Sequence, residues 1–380
     1  MAILDERGYR CIWYNTNMKV LFDARWILVE NRFDGVSRYT HELAKALAKR
    51  EDIEVAWLVY DQRQADKLPK GELVWANNPN NAFKEFFSFA HTVNKSGYDL
   101  VYSPFFTVGT LGKQFKLILT IHDMIYFTHR TPPQWLPWHI RAGWWLFHAT
   151  YWPMRWQLNK ADAVATVSGT ARQELLDAHA TKRPITTVAN AVGNQFYDPT
   201  PRPRHTYKNI VYMGAFTPYK NVECLIDMMP LLPDMTLHLC GKLPPMRRPE
   251  IETRIAKNGV TDRIIIYDGS TDDEYRTALR EACCAISASR LEGFGLPVIE
   301  SQSAGVPYAC ADTPIFHEIG SDSVQYFSPD SPEQAAECVK NLQDEAISKE
   351  YISRGYENSM KYTWEKSAEA AAGICKKITN

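Results

Sequence analysis

Short apolar runs alternate along the chain with stretches whose apolar residues recur every three or four positions. The apolar runs have the length and composition of strands, and they lie at residues 20–23, 55–60, 100–103, 116–121, 163–168, 209–213, 236–240, 264–267 and 284–287. The periodic stretches predict helices, which begin near residues 37, 169, 221, 272 and 295. Strands that alternate with helices predict parallel sheets covered by helices on both faces.

This rhythm is interrupted once, at residues 198–205, where the sequence DPTPRPRH predicts an exposed hinge. A chain of 380 residues exceeds the usual size of one core, so we expect two domains. The predicted division is a first domain over 1–197 with a possible extension at 1–17, a hinge over 198–208, a second domain over 209–360, and a C-terminal helix over 361–380 that returns to the first domain.

The composition excludes several classes of protein. With 43 basic and 44 acidic residues the net charge is -1, so there is no overall basic field for nucleic acid. Eight cysteines occur without a Cys-x-x-Cys pair, which favours buried reduced thiols in a cytoplasmic protein over a zinc site. No run approaches the roughly 20 apolar residues that a membrane span needs.

The most informative segment is residues 289–301, SRLEGFGLPVIES, which follows an apolar strand and begins a helix. Gly293 and Gly295 let the backbone approach a ligand closely, and Pro297 suits the first turn of a helix. The free N–H groups of that turn carry partial positive charge. The segment therefore predicts a diphosphate site at the start of a helix.

Two glutamates flank this site, Glu292 before the helix and Glu300 within it. Their carboxylates can accept hydrogen bonds from sugar and ribose hydroxyls. One alternative is a glycine-rich turn that carries two surface glutamates. A dinucleotide-binding loop is a weaker alternative, because Val298 stands where its third glycine is needed.

Two further strand ends carry candidate chemistry. Lys220 begins a predicted helix shortly after Gly214, where it can neutralise a leaving diphosphate or remain a solvated lysine. His122 and Asp123 end another strand, at the edge where open sheets bind ligands. The alternative for His122 is a structural histidine; a metal site is not expected, since companion ligands at suitable spacing are lacking.

The glutamates and the GFGLP sequence between them resemble the E-x7-E motif of retaining GT-B glycosyltransferases, in particular glycosyltransferase family 4. The resemblance covers residues 18–380 and is strongest in the second half. It implies an α/β protein of the GT-B fold, in which two Rossmann-like domains with parallel sheets face a central cleft.

The resemblance also implies roles for single residues. Glu300 would bind the ribose hydroxyls of a nucleotide-sugar, Lys220 the diphosphate, and His122 the donor sugar, with Asp123 orienting His122. The expected catalytic residues are His122, Asp123, Lys220 and Glu292. The expected donor-binding residues are Gly35, Gly214, Lys220, Tyr267, Arg290, Glu292, Gly293, Phe294, Gly295, Leu296 and Glu300.

The segment DGVSRY at residues 34–39 resembles a glycine loop of the same family, in which Gly35 would let the first domain approach the donor. Ser37 is a candidate N-cap, and Arg38 reads as a surface charge. The arginine that many family members carry shortly before the lysine is missing. We expect Arg290 or Arg25 to replace it.

The reaction that the resemblance implies is retaining, metal-independent transfer of a hexose, without a cofactor. The donor is a nucleotide diphosphate sugar, with GDP-mannose or GDP-rhamnose as the first expectation. The acceptor is a glycan or lipid-linked saccharide of surface polysaccharide or lipopolysaccharide assembly. The alternatives are a GT-B-like epimerase or phosphorylase, although no pyridoxal-phosphate lysine is evident, and a non-catalytic subunit that binds a nucleotide-sugar.

Residues 134–157 combine eight aromatic side chains with Arg141 and Arg155. Aromatic-basic helices often lie in a membrane interface, so we expect peripheral contact with the cytoplasmic membrane through this segment. The alternative is an aromatic packing surface within the protein.

Overall fold

Thirteen strands in the described part of the chain form two sheets, and every neighbouring pair of strands is parallel. The computed structural model describes residues 18–30, 34–132 and 137–379. The predicted fold class, two Rossmann-like α/β domains with parallel sheets, is confirmed. The predicted extension at 1–17 lies outside the described residues.

The first sheet has seven strands in the order β3-β2-β1-β4-β5-β6-β7. These strands are β1 (Met18–Asp23), β2 (Ile53–Val59), β3 (Leu73–Trp75), β4 (Leu100–Ser103), β5 (Lys116–Ile121), β6 (Ala163–Thr166) and β7 (Ile185–Thr187). The helices between them are α1 (Gly35–Leu47), α2 (Gln62–Ala65), α3 (Ala82–Ser96), α4 (Ile125–Thr128), α5 (Trp138–Ala149), α6 (Trp152–Lys160) and α7 (Gly169–Asp177). The strand order reverses between β1 and β4.

The second sheet has six strands in the order β10-β9-β8-β11-β12-β13. They are β8 (Asn209–Tyr212), β9 (Thr236–Leu239), β10 (Ile264–Ile266), β11 (Ala282–Ser287), β12 (Tyr308–Ala311) and β13 (Val324–Phe327). The helices here are α8 (Val222–Met228), α9 (Arg248–Lys257), α10 (Asp272–Arg280), α11 (Leu296–Ser303), α12 (Pro314–Gly320), α13 (Pro332–Leu342) and α14 (Glu345–Ser359), and α15 (Trp364–Thr379) ends the described chain.

Strand order places α11 at a switch point of the second sheet. The order in which successive strands are added to the sheet reverses between β8 and β11, and α11 follows β11 directly. All six residues of β11 are buried, because helices cover both faces of a central parallel strand. Ligands of open α/β sheets bind at such a point, outside the carboxyl ends of the strands.

The N terminus of α1 differs from the prediction. Asp34 is its N-cap, because the carboxylate accepts a hydrogen bond from the backbone N–H of Ser37 at 2.7 Å. Ser37 lies inside the first turn, and its hydroxyl accepts from the N–H of Leu28 at 2.9 Å. The prediction of Ser37 as the N-cap was therefore wrong. The N-cap lies three residues earlier, because the charged carboxylate of Asp34 accepts the capping hydrogen bond.

The predicted hinge is not an exposed linker throughout. Arg204 within it is 1% exposed and donates hydrogen bonds to the backbone carbonyls of Leu279, Arg280, Ala282, Ala304 and Gly305. Burial lowers the pKa of Arg204 to about 10. The planar guanidinium group donates hydrogen bonds to carbonyls at the C-terminal ends of α10 and α11, so the segment is anchored to the second domain.

The final helix lies against the first domain. The ring of Trp364 packs at 6.0 Å from that of Tyr39 in α1, and the Ser367 hydroxyl donates to the carbonyl of Ala189 at 2.7 Å. The chain therefore crosses between the domains twice, near residue 200 and again between α14 and α15.

The seven cysteines in the described residues are buried and form no disulfide, which confirms that prediction for them. No helix in the described ranges is long and apolar enough to cross a bilayer.

Candidate active site

The N terminus of α11 opens without a side-chain cap. Its N-cap is Gly295, whose φ of +94° is a left-handed conformation that favours glycine. Pro297 occupies the first turn, where a missing N–H costs nothing. Within the described residues no side chain accepts a hydrogen bond from the N-terminal N–H groups of this helix, so the partial positive charge of the helix end is available to an anion.

Lys220 lies beside this helix end. Its ammonium group is 2.5 Å from Oε2 of Glu292, and both side chains are largely buried. The backbone N–H of Arg290 donates to the carbonyl of Tyr219 at 2.8 Å and so fixes the lysine turn against the motif loop. The structure thus brings together two residues that are 72 positions apart in the chain.

The motif loop contacts the first domain at Gly293. A Cβ on this residue would lie 2.6 Å from the carbonyl oxygen of His122 and 3.1 Å from Cβ of Asp123. The Ser168 hydroxyl, from the start of α7, donates to the Gly293 carbonyl at 2.8 Å. The glycine motif of the second domain therefore faces the predicted His-Asp pair across the cleft.

His122 is held in one orientation by the first domain. Its Nε2 lies 2.8 Å from the carbonyl oxygen of Pro104, so Nε2 carries the hydrogen and Nδ1 is left as an acceptor. Burial lowers the pKa of His122 to about 4. The imidazole is therefore neutral near pH 7 and suited to accepting a hydrogen bond from a hydroxyl.

Asp123 does not orient His122 as we expected. Its carboxylate accepts from the N–H of Ile125 at 3.0 Å, at the start of α4. Burial raises the pKa of Asp123; the charge of Glu292 raises it further, while Lys220 opposes the shift. Asp123 is thus an electrostatic neighbour of the Lys220–Glu292 pair, while Pro104 positions the histidine.

Glu300 is 4% exposed and lies on the same helix, α11. Burial raises the pKa of Glu300, and Arg38 of the first domain acts in the opposite direction. Arg38 places NH1 3.9 Å from Oε1 of Glu300 and NH2 2.7 Å from Oδ1 of Asp272. The prediction of Arg38 as a surface charge was therefore wrong: the side chain spans the cleft.

The two arginines that we expected near the diphosphate differ in their surroundings. Arg290 directs its guanidinium to Asp330 at 2.5 Å. Arg25 is buried between Asp23 and Glu85, with bonds of 2.7 Å to each. The expectation for Arg25 is wrong, because two buried carboxylates hold its guanidinium. Arg290 is 41% exposed, so its surface pairing with Asp330 leaves the expectation for Arg290 a prediction.

The remaining predicted residues lie around these groups. Gly35 is the first residue of α1, and open space surrounds the position of its missing side chain. Gly214 lies so close to the loop after β9 that a Cβ on Gly241 would meet its carbonyl oxygen at 1.6 Å. Tyr267 follows β10 and bonds through its hydroxyl to Nδ1 of His238 at 3.0 Å.

Two residues of the motif contribute backbone rather than side chain. The Phe294 ring is buried and meets Tyr362 edge-on at 5.5 Å, so the ring is engaged in packing. Leu296 is the first residue of α11. Their backbone N–H groups are the parts that can face a bound anion.

Two family models match the chain. The model named Glycosyltransferase Family 4 matches residues 33–195, and the model named Glycosyl transferases group 1 matches residues 195–358. The second match includes the whole motif loop and Lys220. The chain belongs to the group 1 GT-B glycosyltransferases.

Curated relatives of this glycosyltransferase include mannosyltransferases. O-antigen chain mannosyltransferase B of Escherichia coli is 27% identical over 168 residues, which are 41% of this chain and 42% of the relative. O-antigen chain mannosyltransferase RfbU of Salmonella typhimurium is 21% identical over 215 residues, 55% of this chain and 60% of the relative. The chain thus matches about half the length of these relatives. An uncharacterized glycosyltransferase of Methanocaldococcus jannaschii is 23% identical over 361 residues, 91% of this chain and 95% of the relative.

Solved structures share the fold of this glycosyltransferase over nearly its whole length. Sucrose-phosphate synthase from Thermosynechococcus elongatus superposes with a TM-score of 0.74 at 17% identity, covering 95% of this chain and 99% of that one. HepE of Anabaena, in complex with UDP and glucose, gives 0.72 at 16% identity, covering 95% and 100%. At these identities the similarity establishes the GT-B fold.

The structure of the glycosyltransferase also shows a contact that the sequence did not predict. Glu318 of α12 accepts hydrogen bonds from the N–H groups of Gly169 and Thr170 and from the Thr170 hydroxyl, each at 2.6 Å. A carboxylate of the second domain thus caps α7 of the first. Ser168 already caps this helix by accepting from the N–H of Ala171 at 3.0 Å, so nothing local in the sequence indicated a second acceptor about 150 residues away.

The aromatic segment of the glycosyltransferase is exposed in α5 and α6. Trp138 is 79% exposed and Trp152 69%, and the neighbouring α3 exposes Phe83 and Phe87 as well. A groove of about 620 Å³, lined by Phe86, Phe106, Phe147, Trp152 and Trp156 among others, lies between these helices. Trp135 lies outside the described residues.

Proposed function

We propose that this protein is a retaining, metal-independent hexosyltransferase that uses a nucleotide diphosphate sugar. The observation that carries the proposal is the uncapped N terminus of α11, with Lys220 and Glu292 paired at 2.5 Å beside it and Glu300 on the same helix. A cationic helix end next to an ammonium group is suited to a diphosphate. The UDP complex of HepE, a protein of the same fold, supports a nucleoside diphosphate as ligand.

The proposed reaction breaks the bond between the anomeric carbon and the phosphate oxygen. The electron pair goes to that oxygen, and Lys220 and the helix end stabilise the growing negative charge. An acceptor hydroxyl bonds to the anomeric carbon on the same face and passes its proton to the departing diphosphate. His122, neutral and with Nδ1 free to accept, holds a hydroxyl of the donor sugar.

The charge pairing of the site supports retention without a covalent enzyme intermediate. A double displacement needs a carboxylate nucleophile beneath the sugar. Glu292 is engaged by Lys220, and Glu300 lies beside Arg38. Both glutamates are thus paired with cations. Lys220 and α11 supply positive charge without a metal, and the described residues hold no cluster of three or more candidate metal ligands.

We propose mannose as the transferred sugar and GDP as the nucleotide, with GDP-rhamnose as the second candidate donor. The support is the names of the O-antigen mannosyltransferases to which the chain is similar. The proposed acceptor is a glycan or lipid-linked saccharide of surface polysaccharide or lipopolysaccharide assembly. The exposed aromatic face of α5 and α6 would bring the cleft to a lipid-linked acceptor at the cytoplasmic face of the membrane.

The reaction is tested with purified protein, a panel of nucleotide-sugars and lipid-linked saccharide acceptors. We expect release of nucleoside diphosphate only with acceptor, full activity in EDTA, and an axial anomeric linkage by NMR when GDP-α-mannose is the donor. Epimerised sugar in the absence of acceptor would indicate an epimerase instead. Binding of nucleotide without turnover across the panel would indicate a non-catalytic subunit.

Two variants separate the proposed roles within the site. Glu300→Ala should weaken nucleotide binding by roughly tenfold or more, because it removes a charged acceptor for ribose hydroxyls. His122→Ala should keep nucleotide binding and lose turnover. Unchanged turnover in the His122 variant would remove its catalytic role.

Membrane contact is tested by co-sedimentation with vesicles that contain anionic lipid. Replacing Trp138 and Trp152 by serine should reduce binding, because both indoles are largely exposed and Trp is favoured at membrane interfaces. Equal sedimentation of wild type and variant would contradict this part of the proposal.

A further inference from the structure

Arg38 is the cation by which the first domain reaches α11. It lies in the first turn of α1, and its side chain is 12% exposed. The guanidinium spans from α1 to Asp272 at the start of α10 and to Glu300 in α11, at 2.7 and 3.9 Å. The ring of Phe196 lies 5.4 Å below its central carbon, so the planar group has a fixed place.

The guanidinium has hydrogen-bonding capacity to spare. It carries five N–H donors, and among the described residues the single hydrogen bond of this side chain goes from NH2 to Asp272. The NH1 group faces Glu300 at ion-pair distance, beyond hydrogen-bond range. The remaining donors can therefore serve a ligand without breaking the contact to Asp272.

Arg38 lies close to the N-terminal end of α11, where the diphosphate is proposed to bind. Glu300 follows Leu296, the first residue of α11, by four residues, which corresponds to about 6 Å along the helix axis. A group next to the Glu300 carboxylate is thus about one helical turn from the proposed diphosphate site. Arg38 approaches that site from the opposite domain to Lys220.

The charge of a diphosphate calls for more than Lys220. The lysine already shares its charge with Glu292, while Arg290 and Arg25 are held by Asp330 and by Asp23 with Glu85. Arg38 combines burial, spare donors and proximity to α11. The first domain thus offers a positive charge in addition to that of Lys220 in the second domain.

We propose that Arg38 is the second cation for the donor diphosphate, supplied across the cleft by the first domain. This inference rests on the proposed function. It makes charge stabilisation of the leaving group depend on the docking of α1 against α10 and α11. A separated domain would leave the diphosphate with Lys220 and the helix end alone, so the bond would break slowly outside the closed cleft.

The test measures the dissociation constants of nucleoside, nucleoside monophosphate and nucleoside diphosphate for one base, on wild type and Arg38→Gln. We expect the variant to lose about tenfold to a hundredfold in diphosphate affinity, as for a hydrogen bond to a charged group, and little in nucleoside affinity. The ratio of the two constants is measured on one preparation, so a partial loss of folded protein leaves it unchanged. An equal loss for nucleoside and diphosphate, or no loss for either, would overturn the proposal, since Arg38 would then act through Glu300 or not at all.

Two further variants serve as a control and as a test in the opposite direction. Arg276→Gln removes an arginine of α10 that pairs with Asp273 on the same helix, and it should leave the ratio at the wild-type value. Asp272→Asn keeps the Arg38 cation but removes its competing carboxylate, so it should raise diphosphate affinity relative to nucleoside. An unchanged or lowered ratio in Asp272→Asn counts against the proposal.

The outcome also distinguishes this inference from the proposed function. A wild-type protein that binds no nucleoside diphosphate would refute the proposed function itself. A wild-type protein that binds nucleoside diphosphate, with Arg38→Gln keeping the same ratio, would refute Arg38 as the second cation and leave the transferase proposal standing.

Discussion

The contact between Gly293 and His122 gives a direct test of the cleft geometry through Gly293→Ala. The added Cβ would lie 2.6 Å from the carbonyl oxygen of His122, whereas ordinary contacts begin at 3.4 Å. The obstacle is backbone and cannot rotate away. The motif loop and the His122 strand end must therefore separate by about 0.8 Å, the difference between these two distances.

The expected effect of Gly293→Ala follows from this displacement. Overpacking by one methyl group costs about 1–3 kcal/mol, so the variant should fold with a somewhat lower melting temperature. A misplacement of about 1 Å in a catalytic site can cost about a hundredfold in rate. We therefore expect kcat to fall by roughly 10- to 100-fold and nucleotide affinity to fall by less, because Lys220, Glu300 and α11 remain within one domain and the proposed Arg38 contact alone crosses to the other.

The assay compares kcat, nucleotide affinity and thermal unfolding for wild type, Gly293→Ala and the control Gly373→Ala. Gly373 lies within α15, where no described residue outside the adjoining helix backbone comes within 4 Å of an added Cβ, so the same substitution should leave kcat unchanged and stabilise the helix by about 0.5–1 kcal/mol. Wild-type kcat in Gly293→Ala would refute the close approach of the two domains at this point.

Three further outcomes follow from Arg204, Glu318 and His122. Arg204→Met should lower the free energy of unfolding by about 3 kcal/mol or more in urea denaturation, because several buried carbonyls lose their donor at once; a loss below 1 kcal/mol would contradict its anchoring role. Glu318→Ala should cost about 1 kcal/mol by calorimetry, because the N–H groups of Gly169 and Thr170 lose a charged acceptor, and an unchanged melting temperature would argue against a stabilising role of this contact. Since burial lowers the pKa of His122 to about 4, kcat/KM should not follow a histidine titration near pH 6.5 and should fall only as pH decreases through about 4; an imidazole pKa near 6.5 by NMR titration would refute this.

The secondary structure was predictable where one physical pattern dominates. Strands β4 and β5 have the predicted bounds, because both are short, apolar and buried on both faces. The edge strands β3 and β7 were not predicted, since each has three residues and none of them is fully buried. The strands β12 and β13 were missed as well, although all four residues of β12 are buried.

The sequence alone determined the parallel α/β architecture and the motif loop. The alternation of strand and helix periods, the two glycines and the proline act within about ten residues, so local conformation and helix-end charge can be read from them directly. The Glu292–Glu300 spacing is likewise local. These local features are sufficient to indicate the family.

Tertiary structure decided which charges meet across the cleft. Arg38 and Glu300 are 262 positions apart, and Arg38 was read as a surface charge because nothing nearby in sequence gives it a partner. Glu318 and α7 are equally remote. Conversely, Arg25 is held by Glu85 and Arg290 pairs with Asp330, through contacts that no local pattern reveals. A long charged side chain pairs with whichever opposite charge lies within its reach. The distances between charges on different domains are fixed only when the two domains pack together.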